Sequence, residues 1–196
     1  MSDFKLVIAV DVDNVLNNFC EMLIKIYNQE NNGSLSIENI TKYNFYECLD
    51  WEVCKKLEKI YSSDNFWASL TPQKYSQQGL DYLSTLGHEI YLASASDYRF
   101  WARKAGWLKY YFGMIPEKNQ ILIQNKGLLK CDVLVDDCID NLLASHYYER
   151  VCFDYPYNRD VCDEARGIYR CSDWKEIVNA IDEIEYKFKS EGIDVY

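Results

Sequence analysis

The 196-residue sequence predicts an α/β fold: a parallel sheet with helices on both faces, and a small, mainly helical segment inserted after the first strand. Three observations carry that expectation. Short apolar runs, too brief for buried helices, alternate with stretches of helical periodicity over most of the chain. Two of those runs end in acid pairs, Asp11/Asp13 and Asp136/Asp137. Between the first run and residue 72 no further buried strand can be read, which sets that segment apart. The expected division is residues 1–16 and 72–196 as the α/β core and 17–71 as a small helical cap.

The first strand is the run Leu6–Val10, apolar without a break and therefore suited to burial on both faces of a sheet. Asp11 and Asp13 follow it. Two apart on an extended chain, their side chains point the same way. Residues 17–29 read as a helix through Phe19, Leu23, Ile26 and Tyr27, and Asn31-Asn32-Gly33-Ser34 ends it. In the insert, Asp50 stands where a helix carrying Val53, Leu57, Ile60 and Tyr61 would begin, with a loop at Ser62-Ser63-Asp64-Asn65. Past Pro72, a helix over 74–86 stops at Gly87.

Residues 89–93 form the second strand and lead to Ser94. A helix from Asp97 to about Gly106 follows, with a further piece to Phe112. A short strand is expected at 121–123. The third core strand is 132–135, ending in the acid pair, and later strands are expected at 151–153 and 168–170. The last helix begins at Asp173, with Glu176 as a capping-box partner and Ile177, Ile181 and Ile184 on one face. Strands alternating with helices imply right-handed parallel crossovers in a Rossmann-like sheet.

Composition narrows the function. A net charge of -10 disfavours nonspecific binding to a nucleic-acid polymer or to an anionic membrane. No apolar run reaches membrane-spanning length, and no signal-peptide pattern precedes the first strand. The eight cysteines are scattered without a Cys-x-x-Cys pair, and there are two histidines, so a zinc site is not expected. Reduced thiols in a cytoplasmic protein are the simplest reading.

The ends of parallel strands share one edge of the sheet, where open α/β folds bind their ligands. Asp11, Asp13, Ser94, Asp136 and Asp137 therefore converge there, with Lys126 or Lys130 alongside. Clustered carboxylates need a cation, and hard oxygen donors without histidine select Mg²⁺. A lysine and a hydroxyl beside such a metal suit a phosphoryl group, and aspartate is an established nucleophile for its transfer.

These residues resemble the haloacid dehalogenase-like phosphatases: Asp11-Val12-Asp13 after the first strand, Ser94 after the second, Lys126, then Asp136-Asp137. A narrower resemblance is to the 5'(3')-deoxyribonucleotidases. It is carried by Asp11 to Phe19, by Asn65-Phe66-Trp67 ahead of Leu70-Thr71-Pro72, by Phe153 to Asn158, and by Cys171-Ser172-Asp173-Trp174. Asn14, Ser94 and Asn125 depart from the pattern, where glycine, threonine and an acid are common.

The resemblance implies Mg²⁺-dependent dephosphorylation of deoxyribonucleoside monophosphates through an aspartyl-phosphate. Asp11 would be the nucleophile and Asp13 the general acid and base. Asp11, Asp13 and Asp137 would hold the metal, and Ser94 and Lys126 the phosphate. Phe19, Phe45 and Tyr46 would offer faces to the base. Two alternatives stay open: a phosphatase for another small phosphorylated metabolite, and a non-catalytic nucleotide or phosphate binder. The expected partner is a small-molecule nucleotide, and a homodimer is left open.

Overall fold

The computed structural model describes residues 4–144, 148–161 and 163–196. Of the two histidines and eight cysteines counted above, His146 and Cys162 lie outside them. Six strands form one sheet in the order β3-β2-β1-β4-β5-β6: Val7–Val10, Glu89–Ser94, Gln120–Leu122, Val133–Asp136, Glu149–Phe153 and Ile168–Cys171, numbered β1 to β6 along the chain. Every pairing is parallel. The chain moves outward from β1 to β2 and β3, then returns to place β4 on the other side of β1. The sheet therefore reverses direction at β1, and the crevice beyond that reversal is where such sheets bind ligands. β1 and β4 are almost wholly buried, which is why both read as apolar runs.

Eight helices accompany the sheet among the described residues: α1 Phe19–Asn31, α2 Trp51–Tyr61, α3 Asp64–Ser69, α4 Ser76–Thr85, α5 Tyr98–Tyr111, α6 Ile139–Leu143, α7 Asp163–Arg166 and α8 Trp174–Glu191. α1 ends at Asn32, whose φ of 48° is a left-handed conformation that asparagine tolerates. None of these helices is long and apolar enough to cross a membrane.

Several local expectations change. Residues 98–111 are one helix rather than two pieces, because Trp107 and Leu108 beyond Gly106 are buried in the core and offset the roughly 1 kcal/mol that a helical glycine costs. The loop expected at 62–65 instead starts α3, with the Ser63 side chain accepting from Phe66 N at 3.3 Å. Asp50 stands at the start of α2 but makes no side-chain capping bond. At α8, Asp173 accepts from Lys175 N and Glu176 N, while the Glu176 carboxylate reaches back to Ser172 N at 2.6 Å, one residue earlier than expected.

Residues 17 and 72 lie side by side. Asn17 and Pro72 form an antiparallel bridge, Gln73 N donates to Leu16 O at 2.8 Å, and Thr71 N donates to Asn18 Oδ1 at 2.8 Å. The intervening helices α1, α2 and α3 pack on one another. Their Leu23, Leu57, Ile60 and Phe66 share an apolar core with Val10, Val12, Leu16 and Leu70. These helices thus pack directly against the end of β1.

Candidate active site

Asp11 leaves β1 with its amide still bonded to Val135 O at 2.8 Å, so it stays in register beside β4. The chain then turns sharply: Leu16 N and Asn17 N both donate to Val12 O, and Asn14 takes a φ of 63°. That turn directs Asp13 toward the insert, with its side chain 28% exposed and its Oδ1 accepting from Asn17 Nδ2 at 3.0 Å. Ser94, the last residue of β2, is buried. It does not cap α5; Asp97 does, accepting from Arg99 N at 2.9 Å.

Lys126 begins a single 3-10 turn capped by Asn125, whose side chain accepts from Gly127 N at 3.1 Å. Gly127 is required there, since a Cβ would sit 2.9 Å from Ala144 O. The turn sends Lys126 inward, fully buried, where its ammonium donates to Asp11 Oδ1 and, at 2.6 Å, to Asp136 Oδ2. Lys130 is not brought to the acids; its ammonium lies 4.9 Å from the Tyr196 ring centroid.

Burial raises the Asp11 carboxyl to about 6; Lys126 opposes that rise, and Asp136 and Asp13 add to it. Asp137 is raised well above the ordinary range by burial and by the Asp11 and Asp136 charges, against the hydrogen bonds from Tyr157 and Asn14. Burial would depress Lys126, but the Asp11 and Asp136 carboxylates outweigh it and hold the ammonium charged. Among the described residues, the Lys126 ammonium is the one cation bonded to this group of three buried carboxyls.

Asp11, Asp136 and Asp137 each offer an oxygen within 4.8 Å of the others. Both Asp136 oxygens are taken, by Lys126, by Cys138 N at 2.8 Å and by Asn141 Nδ2. Asp137 Oδ1, by contrast, is buried with no hydrogen-bond partner. A buried carboxylate oxygen without a donor is costly unless a cation completes it. The donor set is all oxygen, so it fits a hard divalent cation.

Beside Asp13 opens a cavity of about 210 Å³, walled mostly by apolar groups that include Phe19, Leu23, Ile24, Phe45 and Leu57. Phe19 packs edge-on to Phe66 with centroids 5.0 Å apart. Phe45 is in the wall, but Tyr46 is not, which corrects the expectation for that ring. Asn44 caps a 3-10 turn over Phe45–Glu47, and the turn that faces Phe45 inward leaves Tyr46 outside, its hydroxyl donating to Glu58 Oε2 at 3.0 Å. Tyr43 and Tyr157 complete the wall instead, their rings edge to face at 5.8 Å.

Lys104 has no counterpart among the expected site residues. It is 1% exposed on α5, and its ammonium donates to Asp13 Oδ2 at 2.5 Å and to Ser94 Oγ at 2.8 Å. A readable signal existed: Phe100, Lys104, Trp107 and Leu108 fall at helical spacing, so a lysine interrupts a buried apolar stripe. Its neighbours Arg99 and Arg103 pair with Asp97 and Asp64 at the surface.

A parallel sheet that places two acid pairs, a hydroxyl and a buried lysine at one reversal point is the arrangement that carries the resemblance to haloacid dehalogenase-like hydrolases. Solved structures agree on the fold: a haloacid dehalogenase family hydrolase from Deinococcus radiodurans, solved with bound phosphate and sodium, superposes with a TM-score of 0.63 at 14% identity, covering 93% of this chain and 97% of that one. Among curated proteins, the 5'(3')-deoxyribonucleotidase of Bacillus subtilis is 30% identical over 185 residues, covering 88% of this chain and 96% of its own. That of Clostridium acetobutylicum is 29% identical over 169 residues, covering 86% and 91%. The family described as "5' nucleotidase, deoxy (Pyrimidine), cytosolic type C protein" matches residues 5–187, and the chain belongs to it. It is accordingly a phosphoric monoester hydrolase.

Proposed function

We propose that the protein is a Mg²⁺-dependent nucleotidase that dephosphorylates deoxyribonucleoside monophosphates in the cytoplasm, with residues 17–71 as a cap over a core of 1–16 and 72–196. The observation that carries this reading is the juxtaposition of Asp11, Asp13, Ser94 and Lys126 with the largely apolar cavity walled by Phe19 and Phe45. The first group suits a phosphoryl centre, and the second suits a flat, uncharged base. The named substrates of the Bacillus and Clostridium relatives support the same reading.

In this scheme an Asp11 carboxylate oxygen attacks phosphorus, and the bond from phosphorus to the nucleoside oxygen breaks. Asp13 gives that oxygen a proton. Water, deprotonated by Asp13, then attacks phosphorus; the Asp11–phosphorus bond breaks, and phosphate and a free Asp11 carboxylate remain. Lys126 and Ser94 hold the phosphoryl oxygens, while Lys104 fixes Asp13 against Ser94. Asp11, Asp137 and the Asp13 backbone carbonyl would hold Mg²⁺, which when bound supplies positive charge to the phosphoryl group.

A panel of deoxyribonucleotides, ribonucleotides and sugar phosphates, assayed for phosphate release with Mg²⁺ on wild type and Asp11→Asn, tests it. Release from deoxyribonucleotides that disappears in the variant and with chelator is expected. Equal rates on sugar phosphates would sink the nucleotide assignment, and no release from any ester would sink the enzyme itself.

A further inference from the structure

Asp137 is held through one oxygen only. The Tyr157 hydroxyl donates to Asp137 Oδ2, and Asn14 Nδ2 donates to the same atom at 2.9 Å. The second Asn14 amide proton goes to the Tyr157 oxygen at 3.0 Å, so the three groups close a small ring of hydrogen bonds. Donors and acceptors balance within it: two protons from the amide, one from the phenol, both carboxylate bonds on Oδ2. Oδ1 is left buried and without a partner, beside Asp11 and Asp136.

The two donors are themselves fixed. Asn14 Oδ1 accepts from Cys20 N at 2.9 Å, which settles which end of the amide faces Asp137. The Asn14 backbone amide donates to Asn17 Oδ1, and its carbonyl accepts from the Tyr155 hydroxyl. Tyr157 stacks on Tyr155 with centroids 5.3 Å apart and planes at 7°. Neither group is therefore a mobile surface contact that would yield when a cation arrives.

We propose that Asn14 and Tyr157 are positioning residues that restrict Asp137 to one-oxygen coordination and so set the cation selectivity of the site. The proposal rests on the divalent-cation reading of the acids. A carboxylate with one oxygen tied down offers a single ligand atom in a set direction, which suits a small octahedral ion with a tight coordination shell. Ca²⁺, larger and commonly bound by both oxygens of a carboxylate, gains nothing from that constraint. Releasing Oδ2 frees the carboxylate to rotate and to bind through both oxygens, so the preference for Mg²⁺ over Ca²⁺ falls.

The test is calorimetric titration of metal-free protein with Mg²⁺ and with Ca²⁺, on wild type, Asn14→Gly, Tyr157→Phe and Asp137→Asn. Glycine accepts the φ of 63° at position 14, and phenylalanine keeps the stack on Tyr155. Circular dichroism and thermal unfolding check that each variant is folded. Expected are Mg²⁺ affinity about tenfold or more weaker in both positioning variants, Ca²⁺ affinity unchanged or tighter, and loss of both ions in Asp137→Asn. Wild type that binds no Mg²⁺ would overturn the cation reading itself. Wild type that binds Mg²⁺, with both positioning variants unchanged in affinity and in preference, would overturn this proposal alone. Equal weakening for the two ions would also overturn it, because the single-oxygen account requires their ratio to move.

Discussion

The Lys104 ammonium lies 2.5 Å from Asp13 Oδ2 and ties that carboxylate to Ser94, its other partner at 2.8 Å. Two strand ends, β1 and β2, are thus joined through a side chain from the helix that follows β2. Lys104→Met removes the charge while keeping most of the volume. The expected outcome is a fall in kcat on the order of 10²-fold or more, in line with loss of an aimed charged donor, with partial recovery in Lys104→Arg. Steady-state kinetics on a deoxyribonucleotide, beside thermal unfolding, decides it. Unchanged kcat in a folded Lys104→Met protein would remove the lysine from the chemistry.

The acids make stability depend on pH and metal together. Asp11 has an ordinary value of 3.8 and is raised to about 6 in the folded, metal-free protein; Asp137 is raised too. Between those values the folded chain holds protons that the unfolded chain has lost. For Asp11 the stabilisation this gives is complete below about 4 and disappears as pH rises through about 6; that of Asp137 is lost in the same direction. A bound cation replaces those protons. The melting-temperature gain from saturating Mg²⁺ is therefore expected to grow from about pH 5 to about pH 8. Differential scanning fluorimetry with chelator or Mg²⁺ measures it, and a gain that shrinks with rising pH would contradict the assignment.

Phe19 and Tyr46 should separate cleanly. Phe19 lines the cavity, whereas Tyr46 points away and bonds Glu58. Phe19→Ala is expected to raise KM for a nucleotide by tenfold or more, base stacking being worth about 1–3 kcal/mol. The effect on a small phosphate ester without a base should be slight. Tyr46→Ala should leave both substrates within about twofold, as surface changes usually do. Parallel KM measurements on the two substrates are sufficient.

Trp174 anchors the other side of the turn. It is 1% exposed, and its indole Nε1 donates to Val15 O at 2.8 Å, inside the loop that carries Asp13. Trp174→Phe keeps part of the apolar packing and leaves that carbonyl unpaired, at a cost of about 1–3 kcal/mol for the unpaired group in addition to the volume lost. Chemical denaturation should show the loss as a lower midpoint with an unchanged slope.

Much of the site was legible because strand ends announce themselves. Asp11, Asp13, Ser94 and Asp136-Asp137 each follow an apolar run, and parallel pairing alone brings such ends together. Lys126 sits on a loop and was separable from Lys130 only through resemblance. Lys104 was missed because a lysine on a helix is ordinarily read as solvated, even where the apolar stripe around it says otherwise. Asn14 was visible as a departure from glycine, but its partner Tyr157 lies 143 positions away and no local pattern links them. The aromatic wall was half legible for a similar reason. Whether Phe45 or Tyr46 faces inward depends on one short turn, whose rotation leaves no periodic trace.

The bridge between Asn17 and Pro72 has a consequence for how the chain can vary. With those two residues already paired, the segment between them is a loop whose ends meet regardless of what it contains. Doubling the length of such a loop adds only about 0.6 kcal/mol of closure entropy. Length can change there wherever the residues that touch the turn after β1, such as Asn17 and Cys20, stay in place. An insertion between Asn17 and Pro72 can therefore be absorbed without separating the two paired ends.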